Sequence, residues 1–104
     1  MSSREKSLTI TEDDTRLDVR LRIDKAKVTF FSINLSIVTD KGCLDVYRCD
    51  TAHGYPHEQK FWRDSKPIKL HGSNYNKIFE SKFEETKRNR HKYMKWFRES
   101  RGKS

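Results

Sequence analysis

"RLDVRLRIDKAKVTFFSINLSIVTD", residues 16–40, decides the fold. In its first part Leu17, Val19, Leu21 and Ile23 alternate with Asp18, Arg20, Arg22 and Asp24. A period of two marks a strand with one dry and one wet face. The second part sets Phe31, Ile33, Leu35 and Ile37 against Phe30, Ser32, Asn34 and Ser36, the pattern of a second, central strand. Asp40, Lys41 and Gly42 then supply a hairpin turn, and "CLDVYRCD", residues 43–50, reads as a third strand. Consecutive strands with such short connections imply an antiparallel meander.

Outward from this core the signals weaken. Residues 1–14, "MSSREKSLTITEDD", carry only Leu8 and Ile10 as apolar anchors and read as a flexible arm able to dock a short strand. On the other side "KPIKLHG", residues 66–72, reads as a short fourth strand or an edge segment, with Pro67 near its start. Gly72 and Ser73 punctuate the chain, and Ser73 is placed to cap a following helix. In that helix Phe79, Phe83, Tyr93, Met94 and Phe97 recur at helical spacings, with a weaker stripe from Thr86 to Arg90. The expected fold is α+β: an antiparallel β-meander of three to four strands with one long C-terminal helix. A single domain spans 15–101, with the sheet over 15–72 and the basic helix over 73–101.

The chain has 104 residues, room for one core. Its net charge of +8 is uneven: residues 1–72 hold 13 Lys/Arg against 11 Asp/Glu, and residues 73–104 hold 10 against 4. The positive field therefore sits on the helix, where it favours nucleic acid, anionic lipid or an acidic protein. Cys43 and Cys49 fall on one strand, roughly 20 Å apart at about 3.3 Å per residue, too far to bridge. Free thiols and the lack of a leader or a long apolar run imply a cytoplasmic protein without a membrane partner. Gly-rich phosphate loops, G-x-S-x-G elbows and paired acidic motifs are missing from the sequence, which disfavours the enzyme classes built on them.

Two stretches carry chemistry. In "CDTAHGYPHEQKFW", residues 49–62, His53 and His57 are separated by three residues, but Gly54 and Pro56 forbid the helix that would give this spacing force as a zinc motif. A loop that gathers His53, His57 and Asp50, with His71, would suit a divalent metal. No cofactor is expected. As a proton donor and acceptor near neutral pH, the His53/His57 pair meets the needs of metal-independent RNA cleavage, with Arg48 or Lys60 neutralising developing phosphate charge and Asp50, Tyr55 or Glu58 orienting. The same residues also suit a plain turn, with Tyr55 and Trp62 packed on the sheet edge and Asp50 capping while paired to Arg48.

The second stretch is "KRNRHKYMKWFRESRGK", residues 87–103, whose eight Lys/Arg are met by one acid, Glu99. Lys87, Arg88, Arg90, Lys92, Lys95 and Arg98 are candidate phosphate contacts, and Trp96, with Tyr93, is a candidate stacking surface for an unpaired base. A solvated helix face laced by Glu80, Glu84 and Glu85 accounts for part of the same pattern.

"YRCDTAHGYPH", residues 47–57, resembles small prokaryotic domains of uncharacterised function whose strand ends R-x-D before a His/Pro-rich loop. More distantly it resembles the TumE-type toxins of toxin–antitoxin modules, on the positions Arg48, Asp50, Ala52, His53, Pro56 and His57. The chain departs from them in its thinner histidine cluster and in its long basic helix. The resemblance implies a prokaryotic cytoplasmic protein directed at RNA and held by an antitoxin-like acidic partner. The expected function is a toxin-like, RNA-acting protein and ribonuclease candidate, with Arg48, Asp50, His53 and His57 as the catalytic group. The alternatives are a non-catalytic nucleic-acid-binding module and a protein-interaction module, including a homodimer.

Overall fold

The computed structural model describes residues 4–52, 54–63 and 66–102. Six strands, β1 (Arg4–Glu12), β2 (Thr15–Asp24), β3 (Lys27–Thr39), β4 (Gly42–Asp50), β5 (His57–Lys60) and β6 (Ile68–Lys69), precede the helix α1 (Tyr75–Gly102). The strands form one sheet in the order β1-β2-β3-β4-β5-β6, antiparallel throughout. The architecture is thus α+β with an antiparallel sheet and a C-terminal helix, but the expectation of three to four strands is corrected to six.

The extra strands have physical causes that composition hides. Residues 4–12, expected as part of an arm, pair along their full length with β2, from Arg4 opposite Ile23 to Glu12 opposite Thr15. Leu8 lies opposite Val19 and Ile10 opposite Leu17, and the cross-strand pairs Thr9–Asp18 at 2.8 Å and Glu5–Arg22 at 2.9 Å hold the same register of this polar edge strand. β5 lies within the stretch expected as loop, because Asp50 and His57 are register partners and zip β4 to β5.

The turns also differ from their usual sequence marks. Lys25 and Ala26 both adopt positive φ, 51° and 64°, the geometry of a two-residue hairpin turn that Asn and Gly normally supply. Asn76 of α1 clamps this turn: its Oδ1 accepts from Val28 N at 2.9 Å and its Nδ2 donates to Ala26 O at 3.4 Å. Gly42, at φ 121°, closes the β3–β4 hairpin as expected. Asn74, rather than Ser73, caps α1, accepting the Lys77 N–H through Oδ1 at 3.2 Å.

The dry face of the sheet is the one the alternation marks. Phe31, Ile33, Leu35, Val46 and Cys49 are fully buried, and Tyr93, Met94 and Phe97 of α1 close over them with Leu17, Val19 and Tyr47. Packing is tightest beneath the C-terminal half of the helix. Toward its start Phe79 and Phe83 are only half-buried, stacked on each other at 5.5 Å, while Phe31 meets Tyr75 and Phe79. Burial pushes the Cys49 thiol up to about 12, so it serves as a core filler rather than a nucleophile. Among the described residues no helix is long and apolar enough to cross a membrane.

Phe31 joins the central strand to the start of α1, and truncating it removes a ring that neighbouring strands cannot replace. Phe31→Ala is expected to lower unfolding free energy by about 3–5 kcal/mol in urea titration; a loss under 1 kcal/mol would show that α1 does not depend on this contact.

Candidate functional site

Alternation along β5 sorts the candidate residues onto two faces. Glu58 and Lys60 stand opposite Cys49 and Tyr47 on the dry side, toward α1, whereas His57 stands opposite Asp50, which is itself opposite Ser32 on the other side. The described members of the expected loop group, Arg48, Asp50 and His57, therefore stand on the face of the sheet away from α1. His57 and Lys60 are three residues apart, roughly 10 Å along the strand, on opposite faces of the sheet.

On the face away from the helix, Asp50 is 3% exposed and saturated with donors. Its Oδ1 lies 3.1 Å from His57 Nε2 and accepts the Ala52 N–H at 3.1 Å, and its Oδ2 accepts from Arg48 Nε at 3.1 Å. Arg48 reaches Asp50 because residues two apart share a strand face, while its own side chain stays half exposed. His57 Nδ1 lies 3.5 Å from the Tyr55 carbonyl, and Lys69 sits over the Tyr55 ring at 5.0 Å. Both ring nitrogens of His57 thus face protein acceptors, and this group first of all locks the turn between β4 and β5. His53 lies outside the described residues. His71, the fourth member of the expected metal group, is exposed and lies with Lys77 and Ile78 beside α1. Among the described residues no three His, Cys, Asp or Glu side chains gather as metal ligands.

The helix-side face carries a different arrangement. Glu58, 6% exposed, accepts from the Tyr47 hydroxyl at 2.7 Å and pairs with Lys82 Nζ at 3.2 Å; Lys60 Nζ is 3.9 Å away. Burial alone would lower the Lys82 ammonium, but the Glu58 and Glu85 carboxylates outweigh it and hold the group above its ordinary value. Burial, with Glu58 and Cys49 beside it, drives the Tyr47 phenol far upward.

Outward from this buried pair the aromatic rings form a ladder. Tyr47 stacks on Trp62 at 6.5 Å, Trp62 on Tyr93 at 4.8 Å, and Trp96 meets Trp62 at 5.6 Å and Tyr93 at 5.9 Å. The ladder ends at Trp96, which remains 43% exposed. It forms one wall of a groove of about 730 Å³ between the end of β5 and the last turns of α1, with Lys60, Arg63 and Lys92 among its lining residues.

The expected phosphate contacts divide by their partners. Arg90 pairs with Glu12 at 2.7 Å and Arg98 with Asp14 at 2.6 Å, so both tie α1 to the β1–β2 hairpin. Lys87 lies 3.7 Å from Glu84 and over the Phe83 ring at 5.0 Å. Arg88, Lys92, Lys95 and Trp96 are exposed. Sequence reasoning missed the groove roles of Trp62, Arg63 and Asn89. The available signal was parity: Trp62 continues the Glu58, Lys60 series on the helix side.

The family model described as Domain of unknown function (DUF7718) matches residues 1–103. No curated protein and no solved structure matches the chain.

Tyr93 gives the site a measurable pH signature. Burial and the neighbouring Glu85 carboxylate, which accepts its hydroxyl at 3.2 Å, push the phenol from 10.0 up to about 12. The folded state then holds this proton longer than the unfolded chain does. Its contribution to stability is complete below pH 10 and is lost as pH rises from 10 to about 12. Denaturant titrations across that window should show unfolding free energy falling less steeply in Tyr93→Phe than in wild type; equal slopes would contradict the assignment.

Proposed function

The chain belongs to the Domain of unknown function (DUF7718) family, and we propose that it binds RNA through the groove between β5 and the C-terminal half of α1. The observation that carries this reading is the meeting of an aromatic ladder ending at exposed Trp96 with Lys60, Arg63 and Lys92 around one groove. Nucleic-acid surfaces need both elements: cations that follow the phosphates and flat rings that receive bases. Exposed Arg88 and Lys95 extend the positive surface along the helix.

The resemblance of the β4 end and its turn to TumE-type toxins supports RNA as the nucleic acid. A toxin-like role with an antitoxin-like acidic partner is the wider setting that this resemblance suggests, and the same positive surface would attract such a partner.

Binding led by phosphate contacts must weaken steeply with salt, because each contact releases a counterion on association. Fluorescence anisotropy with labelled single-stranded RNA should show log affinity falling linearly with log salt. The double variant Lys92→Ala/Lys95→Ala should reduce the slope by about 1–2 and weaken binding at low salt. No binding at low ionic strength would overturn the reading.

A second reading, RNA cleavage, is favoured by one specific observation. Asp50 holds His57 at 3.1 Å beside the half-exposed Arg48 guanidinium, a carboxylate-oriented imidazole next to a cation suited to phosphate charge. Incubating metal-free protein with labelled RNA tests it. Cleavage that His57→Ala abolishes supports this second role, and intact RNA under conditions where the protein binds it removes cleavage from the account.

A further inference from the structure

We infer that the groove is a stacking subsite for one unpaired base, with the face of Trp96 as the receiving surface, so that the protein selects single-stranded over duplex RNA. The inference rests on RNA being the ligand and goes further in naming which part of the strand enters, and where.

Three features on this face lead to it. First, the ladder runs from a fully packed ring to an open one. Tyr47 is 1% exposed, Tyr93 6% and Trp96 43%, and ring centroids along it are 4.8–6.5 Å apart. A purine or pyrimidine ring would continue the series by one step, on Trp96, the most exposed rung. Trp62 and Trp96 already touch at 5.6 Å, so the base stacks outside the pair and does not enter between the indoles.

Second, the rim suits one nucleotide. The groove of about 730 Å³ has the size of a small-ligand site. Lys60, Arg63 and Lys92 provide cations for the flanking phosphates, the residue type that follows a backbone.

Third, the groove carries acceptors as well as cations. Asn89 and Glu99 line it beside the rings, where an amide and a carboxylate can accept from exocyclic amino groups of a base. An acidic peptide, which the net charge would otherwise suit, meets Glu85 and Glu99 in this groove. An unpaired base presents an edge to such groups, whereas paired bases within an A-form helix keep their Watson–Crick edges occupied.

The chain supplies its own probe. It has two tryptophans, and both line this groove, so tryptophan emission excited selectively over tyrosine reports on it. The full-length protein is titrated with a single-stranded RNA of mixed sequence, the same RNA as a duplex, and single-stranded DNA of equal length. Emission and anisotropy are followed together in wild type, Trp96→Ala and Trp96→Phe, with circular dichroism to check folding. Trp96 is largely outside the core, and its removal leaves Tyr93, Met94 and Phe97 in place.

The expected result is quenching by single-stranded RNA, weaker binding of the duplex, and a roughly 10- to 100-fold loss of single-strand affinity in Trp96→Ala. Trp96→Phe should recover most of that affinity, while duplex affinity changes little in either variant. Single-stranded DNA that quenches equally assigns the subsite to the base irrespective of the sugar; weaker quenching assigns part of the selection to the 2′-hydroxyl. RNA binding that is steep in salt but leaves emission unchanged, or is equal in wild type and folded Trp96→Ala, overturns the stacking subsite and leaves the electrostatic reading standing. Absence of RNA binding at low salt overturns both, and a stoichiometric protein complex under those conditions would assign the groove to a protein partner.

Discussion

Glu58 carries a carboxylate between the sheet edge and α1, where it is 6% exposed and held by the Tyr47 hydroxyl at 2.7 Å and Lys82 at 3.2 Å. A buried charge is costly unless paired and hydrogen-bonded, and removing one partner of such a pair leaves the other stranded. This pair thus constrains where α1 can sit: the helix must present Lys82 to β5. With that register set, Tyr93 and Trp96, three and four turns further along, arrive beside Trp62, and the groove follows from the same placement. A four-residue strand near the sheet edge becomes the platform for the aromatic wall.

The same strand explains why the chain has two polar centres and not one. Its period of two sends Glu58 and Lys60 toward the helix and His57 away from it, so residues adjacent in sequence serve unrelated environments. On the far face, Asp50 is occupied by the Ala52 N–H, Arg48 and His57, which makes the turn stiff before it makes it reactive. On the helix face, cations stay close to rings with exposed surface. Arg90 and Arg98, engaged by Glu12 and Asp14, show that part of the helix charge is spent on holding the β1–β2 hairpin. The field available to a partner comes from Arg88, Lys92 and Lys95, together with Lys60 and Arg63 from the sheet side.

Much of the fold was legible because strands β2, β3 and β4 alternate cleanly and α1 carries a strong aromatic stripe. What the sequence did not show follows from weak local signals. β1 has two apolar anchors, and its pairing depends on the neighbour already present, a tertiary effect that propensity does not encode. The Lys25–Ala26 turn lacks the Gly or Asn that would announce it, and Asn76, some fifty residues away, supplies the hydrogen bonds that hold it. Asp50, Arg48 and His57 were legible as a cluster from their closeness in sequence, whereas the strand pairing that joins Asp50 to His57 fell in a stretch that reads as loop. The groove was half legible: Tyr93, Trp96 and Lys92 share helical spacing, but Trp62, Arg63 and Asn89 join them only through packing across the β5–α1 boundary.

Separation of the proposed RNA-binding groove from the Asp50–His57 pair is the central claim, and amide chemical-shift mapping during titration with single-stranded RNA tests it most directly. The predicted map concentrates on Lys60 to Arg63 and on Asn89 to Ser100, leaving Arg48, Asp50 and His57 unmoved at low RNA ratios. Shifts centred on the β4–β5 turn, with Trp62 and Trp96 unaffected, would contradict it and move the functional surface to the opposite face of the sheet.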